Sequence, residues 1–229
     1  MKQKAQFSAI YMLMTVFFAV CLITSNLLAT KIFTIGAGIN LPCAVLIFPI
    51  LYILNDCITE VYGYRKARLA IWTAFAMNFL VVVFGQIAVL LPAASFWQGG
   101  EHFNFVFGMA PRVALASLLA FLAGSTLNSM VLSKMKLASE GRSFWLRAVL
   151  SSLCGELCDS LIFIPLAFWG TPAKTLALML LVQVGFKVLY EIAVLPVTAA
   201  LARRLKSAEG IDVFDRGISY NPFKIKDLA

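Results

Sequence analysis

Six apolar stretches run through this chain, each about as long as a lipid bilayer is deep: roughly 7–29, 41–59, 69–92, 111–133, 145–169 and 174–202. A helix needs about 20 mostly apolar residues to cross ~30 Å of hydrocarbon. Short polar or glycine-bearing connections separate the stretches, among them Gly36-Ala37-Gly38, Tyr62-Gly63-Tyr64-Arg65-Lys66 and Trp97-Gln98-Gly99-Gly100. From Arg203 onward the composition turns polar again, with Asp212, Asp215 and Arg216. The pattern predicts an all-α integral membrane protein of six transmembrane helices in a single domain, 1–229, with a polar tail over 203–229. Composition agrees, since 61% of the residues are hydrophobic and only 13% are charged. That charged share is about half of what a soluble domain carries. A soluble fold of this size could not cover its surface with so few polar groups.

Lysine and arginine assign the sides. Fifteen of the 19 basic residues fall at the N-terminus, in the second and fourth connections and in the tail. Lys31, Arg112 and Lys174 lie on the other side, and Lys187 falls inside the sixth stretch. Basic residues accumulate on the cytoplasmic face, so both termini are expected to be cytoplasmic. The run from Phe7 to about Ala29 is too long for the apolar core of a cleaved signal peptide and is read as the first span. The net charge of +8 comes from these short clusters and makes no phosphate-tracking face, so nucleic acid is not an expected partner. Cys21, Cys43, Cys57, Cys154 and Cys158 sit in or beside apolar stretches, and the lone histidine, His102, is remote in a loop. No four ligands converge at zinc-like spacing, so no metal or cofactor is expected.

Charges inside a span cost ~2.5–3.5 kcal/mol each on the lenient insertion scale, so each one marks a candidate site. Asp56 and Glu60 close the second stretch, Arg112 opens the fourth, Glu156 and Asp159 sit in the fifth, and Lys187 and Glu191 in the sixth. Spacings of three or four put each pair on one helix face. Three such polar stripes turned away from lipid predict a polar cavity near the midplane. Lys187 and Glu191 have two readings: an ion pair within one helix, or a lysine that compensates the acidic groups across the helix interface. Asp56 and Glu60, near the cytoplasmic end, can alternatively pair with Arg65 or Arg68. Glu156 and Asp159 have no basic neighbour on their own helix and form the sharpest functional signal. Asn26, Asn128 and Gln183 are intramembrane amides that can bridge helices.

Two halves of three spans, each with an acidic pair in its middle span, suggest a 3+3 inverted repeat with its site at the repeat interface. Pro49 precedes its acidic pair whereas Pro165 follows the other, which counts against strict symmetry. The chain has no phosphate-cradling lysine loop and no nucleophile–base set, so it is not expected to be an enzyme or to hydrolyse ATP unaided.

The motif Asp56-Cys57-Ile58-Thr59-Glu60-Val61-Tyr62-Gly63-Tyr64-Arg65-Lys66-Ala67-Arg68 resembles the signature of the vitamin-uptake-transporter family. Gly155-Glu156-Leu157-Cys158-Asp159-Ser160, then Ala167-Phe168-Trp169, Phe186-Lys187-Val188 before Pro196, and Ile218-Ser219-Tyr220-Asn221-Pro222-Phe223 extend the resemblance over almost the whole chain. It implies a six-helix bacterial inner-membrane importer of queuosine precursors. These are 7-deazaguanine bases such as 7-cyano-7-deazaguanine, 7-aminomethyl-7-deazaguanine or queuine. It also implies that Asp56, Arg112, Asp159 and Lys187 are the first positions to carry over as substrate contacts. A guanine-like edge offers two adjacent N–H donors that a carboxylate accepts as a fork. Its flat face suits Phe186, Tyr190 or Phe163. Asn26, Glu60, Glu156 and Glu191 complete the expected substrate-binding set. The expected partners are the small-molecule base and the lipid bilayer. The alternative is a substrate-binding membrane subunit that borrows ATPases from partner proteins.

Overall fold

The structure, a computed structural model, describes residues 8–35, 39–108 and 111–224. The basic residues at 2 and 4, the connection Gly36-Ala37-Gly38 and Lys226 lie outside the described residues.

Helix α1 (Ala9–Leu28) starts on a cap, with the Tyr11 N–H donating to Ser8 Oγ at 3.0 Å. Ser8 thereby satisfies one of the donors that every helix start leaves bare. Met12, Leu13, Val16 and Phe17 are exposed along one face while Met14, Phe18 and Leu22 pack inward. Large apolar groups facing outward suit hydrocarbon as the surrounding solvent.

A small β-ribbon follows, which qualifies the all-helical expectation. Strands β1 (Ile32–Ile35) and β2 (Ile39–Pro42) pair antiparallel, with Ile32 opposite Pro42 and Ile35 opposite Ile39. A 3₁₀ turn, Cys43–Leu46, leads into α2 (Phe48–Leu90), which carries Pro49 in its first turn. The helix therefore starts several residues after the expected 41. It also runs on past 59 through the tract expected to be a connection. Arg65, Lys66, Ala67 and Arg68 are good helix formers, and only Gly63 departs from helical geometry, with φ 82° and ψ 171°. A non-glycine side chain is severely disfavoured there.

Contacts on the two sides of Gly63 run in opposite senses along the next long helix. α3 (Gly100–Phe107) is short; α4 (Pro111–Ala138) follows it. Before Gly63 the partners advance together: Asn55 Nδ2 donates to the Ser125 carbonyl, Thr59 Oγ1 to Ser129 Oγ, and Lys136 Nζ to the Glu60 carbonyl. After Gly63, Asn78 and Gln86 share a cleft with Ala114 and Ser117, at the opposite end of α4.

α5 (Phe144–Ala167) packs tightly on α4. A Cβ on Gly124 would come within 2.9 Å of the Gly155 carbonyl oxygen, and a Cβ on Gly155 within 2.9 Å of the Gly124 oxygen. Reciprocal glycines let the two backbones meet, which is how helices gain packing where lipid removes the hydrophobic drive. α6 (Ala173–Glu209) contains Pro196 and ends on Gly210 in the left-handed conformation, a common helix stop. Among the described residues, five helical stretches are long and apolar enough to cross a membrane: α1, α2, α3–α4, α5 and α6. This is a multi-pass membrane protein.

After Gly210 the chain lies across the break at Gly63. The Val213 N–H donates to the Val61 carbonyl at 3.1 Å, and the Tyr64 N–H donates to Asp215 Oδ2 at 2.7 Å. These bonds occupy backbone groups flanking the break. Arg68 Nη1 then donates to the Asn221 carbonyl at 2.6 Å and Trp72 Nε1 to the Pro222 carbonyl at 2.9 Å, fastening the rest of the segment.

Candidate functional site

Four helices, α2, α4, α5 and α6, bring polar side chains together. α5 supplies Glu156 and Asp159, three residues apart on one face, and α6 supplies Lys187. Lys187 Nζ lies 2.6 Å from Glu156 Oε2 and 3.0 Å from Asp159 Oδ2. The close passage of α4 against α5 seats this triad, since a Cβ on Gly124 would come within 2.9 Å of the Asp159 Cβ. Lys187 Nζ also sits 4.0 Å from the centroid of the Phe48 ring, contributed by the start of α2. An ammonium so placed over an aromatic face gains about 0.5–2 kcal/mol.

Asp56 is 1% exposed and accepts a hydrogen bond from Asn128 Nδ2 at 3.0 Å. Glu191 lies within electrostatic reach of Asp56 and Glu156, and Tyr52 within reach of all four carboxylates. Lys187 thus pairs with the two α5 carboxylates, and among the described residues it makes no salt bridge to Glu191 one turn along its own helix. Asn128 Oδ1 and Ser160 Oγ are buried without a hydrogen-bond partner among the described residues. Buried polar atoms of this kind are normally paired, so bare ones beside a charged cluster are exceptional.

Other expected residues stand elsewhere. Arg112 is exposed, and its Nη2 donates to the Ala167 carbonyl at 3.0 Å, at the far end of α5. It lies twelve residues before Gly124, about 18 Å along α4, too far to balance the carboxylates. Phe186 and Tyr190 are half-buried on α6, while the ring over Lys187 belongs to Phe48. Asn26 accepts from Ser117 Oγ at 3.1 Å in a separate cleft.

Glu60 also separates from Asp56. It takes both arms of Arg147, with Nη1 to Oε2 at 2.7 Å and Nη2 to Oε1 at 3.1 Å, and it accepts from Lys206 Nζ at 2.7 Å. Arg65 and Arg68, the partners weighed from sequence, are not the ones used. Lys206 and Lys136 in turn hold Asp212, at 2.9 and 2.5 Å. Burial alone would raise the pKa of Asp212, but the hydrogen bonds from these two lysines hold it below the ordinary carboxylate value. Arg147 and Lys136, which in the sequence read as topology signals, are interior anchors of this network, at 1% and 2% exposure.

With the geometry in place, comparison with known proteins decides the family. Residues 42–201 match the family described as "Putative vitamin uptake transporter". The chain belongs to this family. The vitamin uptake transporters are transporters, not enzymes, and the matched stretch contains Asp56, Asn128, Glu156, Asp159, Lys187 and Glu191. It stops short of the segment that crosses Gly63.

Similar proteins include one from Bacillus subtilis (strain 168) named "Probable queuosine precursor transporter". It is 34% identical over 121 residues, covering 52% of this chain and 53% of that protein. Another is the "Queuosine precursor transporter" of Escherichia coli (strain K12), 30% identical over 152 residues, covering 63% and 65%. A third, from Haemophilus influenzae, is 27% identical over 128 residues and is named "Probable queuosine precursor transporter". The matches span half to about two thirds of the length of these curated relatives. No solved structure matches.

Proposed function

We propose that this chain imports queuosine precursors, 7-deazaguanine bases, across a bacterial inner membrane. The observation that carries the reading is the buried Lys187–Glu156–Asp159 triad, in a chain whose relatives are named for that transport. A base with two adjacent N–H donors can take the place that the ammonium holds on the carboxylates. Lys187 then donates to the ring carbonyl, and the Phe48 ring, already against the ammonium, offers a flat face. Asp56, held by Asn128, and Glu191 bound the same region. Transfer between the two faces would proceed by exchanging this internal salt bridge for bonds to cargo, so no buried charge is left bare in either state.

We propose further that the chain crosses the membrane six times as three plus three, with both termini cytoplasmic. The 43 residues of α2 are about twice what one crossing needs, and contacts reverse sense at Gly63. The 15-to-3 division of basic residues supports the sidedness. A reporter active only in the cytoplasm, fused after Ala229, should give signal.

The deciding experiment is uptake of a panel of 7-deazaguanines by purified protein in liposomes, with no ATPase added. Saturable accumulation of at least one base, competed by its unlabelled form, is expected. Binding without accumulation until partner ATPases are supplied would instead favour the borrowed-ATPase arrangement.

A further inference from the structure

A separate, mostly apolar cleft lies at the end of the molecule away from Gly63, and the carboxylate cluster makes no use of it. Tyr11 OH donates to the Lys66 carbonyl at 2.9 Å, so the start of α1 lies beside the break. Asn26 is fifteen residues further on, about 22 Å along the helix. There Asn26, Asn78 and Ser117, from α1, α2 and α4, line a cleft walled by aliphatic side chains and by Phe107. No charged side chain is among its lining residues. Ser117 Oγ donates to Asn26 Oδ1, and Asn78, 1% exposed, has a buried Nδ2 with no hydrogen-bond partner among the described residues. A dry amide donor left bare is costly unless something brings it an acceptor.

α3 roofs this cleft. Val106 and Phe107 form part of its lining, yet none of the residues of α3 is buried. Gln86 Nε2 donates to the Phe107 carbonyl at 2.8 Å, and Gly85 makes room for the ring: a Cβ there would stand 3.2 Å from Phe107 Cδ1. Gly99 and Gly108 flank the helix as its caps. An element with so little buried surface opens at low cost, as lids must.

We infer that this cleft is a docking site for a neutral heterocycle bearing a hydrogen-bond acceptor, and that α3 is the lid over it. The inference rests on the importer reading, and among the bases named above 7-cyano-7-deazaguanine is the neutral one, whereas the aminomethyl base and queuine carry a protonated amine. It adds a first station, selected by neutral amides, ahead of the charged cluster.

The test uses a disulfide across the lid. A Cβ on residue 85 would lie 3.7 Å from the Phe107 Cβ, within the 3.5–4.5 Å that a disulfide spans. Gly85→Cys with Phe107→Cys, on a background whose five native cysteines are alanine, should bridge on oxidation. A bridge that never forms would place the two residues apart and overturn the closed lid. With Ser117→Cys added, a bulky water-soluble maleimide should label residue 117 in lipid nanodiscs when the bridge is reduced, and not when it is oxidised. Equal labelling in both states overturns the lid.

Uptake of 7-cyano-7-deazaguanine by liposomes holding the double variant should fall at least tenfold on oxidation and return with reductant. Unchanged uptake by protein whose bridge is verified by mass spectrometry overturns the proposal. Asn78→Leu should raise KM about tenfold with little change in maximal rate, and an unchanged KM removes the docking role. If the wild-type protein accumulates none of the bases while labelling still follows the bridge, the importer reading fails and the lid stands.

Discussion

Asp215 occupies the space that any side chain on residue 63 would need: a Cβ at Gly63 would come within 2.7 Å of Asp215 Oδ1. The same carboxylate accepts the Tyr64 N–H and, at 2.5 Å, the Ser133 hydroxyl. The break in α2 and the segment laid across it therefore form one unit, in which the segment supplies hydrogen-bond partners to the buried backbone groups that the break leaves bare.

Gly63→Ala should disrupt that unit twice over, through the positive φ and through the collision with Asp215. The conformational strain alone is worth about 1–3 kcal/mol. We expect a clear drop in thermal stability in detergent and a poorer yield of monodisperse protein. A melting temperature equal to that of the wild type would show that the break tolerates a side chain.

Glu60 and Arg147 form a buried bidentate pair; deleting Arg147 leaves Glu60 its bond from Lys206 at 2.7 Å, whereas deleting Glu60 strands Arg147. Such deletions cost about 3–5 kcal/mol. Glu60→Ala should reduce folded protein severely and Arg147→Ala measurably but less, while Glu60→Ala combined with Arg147→Met should recover part of the Glu60→Ala loss. Full expression and stability of either single variant would count against a structural role.

The Lys187 ammonium is shared between Glu156 and Asp159. Lys187→Met should therefore abolish uptake, whereas Glu191→Gln should reduce it less. The combined Lys187→Met and Glu191→Gln variant should remain as inactive as Lys187→Met. Restored uptake in that double variant would make Lys187 and Glu191 a merely structural pair.

Asp159→Asn keeps the shape of the side chain and replaces one acceptor oxygen by a donor amide. Loss of one charge-assisted hydrogen bond to the cargo costs ~1.5–3 kcal/mol, or about 10- to 150-fold in affinity. Binding titration of properly folded protein with the preferred 7-deazaguanine reads this directly. Near-normal affinity would remove Asp159 from the site.

Asp212 titrates below the ordinary carboxylate value because Lys136 and Lys206 favour its charged form. Its contribution to holding the segment after Gly210 is present above the unfolded value of about 4 and is lost as pH falls through the lower folded value. Proteolysis of the segment should therefore accelerate below about pH 4, and Asp212→Asn should show faster cleavage already at pH 7. An Asp212→Asn cleavage profile superimposable on that of the wild type would dissociate the residue from the segment's attachment.

Helical membrane character was decided by the sequence alone, because length and apolarity of a stretch are local properties and lipid leaves the backbone almost no other choice. Glu156, Asp159 and Lys187 stood out in the sequence as candidates for the same local reason, since a charge in hydrocarbon is conspicuous wherever it falls. Which charges meet is another matter. Asp56 and Glu60 share a helix face, yet one faces Asn128 and the other takes Arg147 and Lys206, 87 and 146 residues away. Arg112 looked like a counter-charge but sits about 18 Å along α4 from the cluster, a displacement that depends on how α4 and α5 are registered by Gly124 and Gly155. Arg147 and Lys136 counted as surface markers of topology until packing buried them. Phe48 over Lys187, and the closing segment over Gly63, carry no local signal either. Pairing depends on helix register and on chain segments far apart in sequence, and only the assembled structure supplies both.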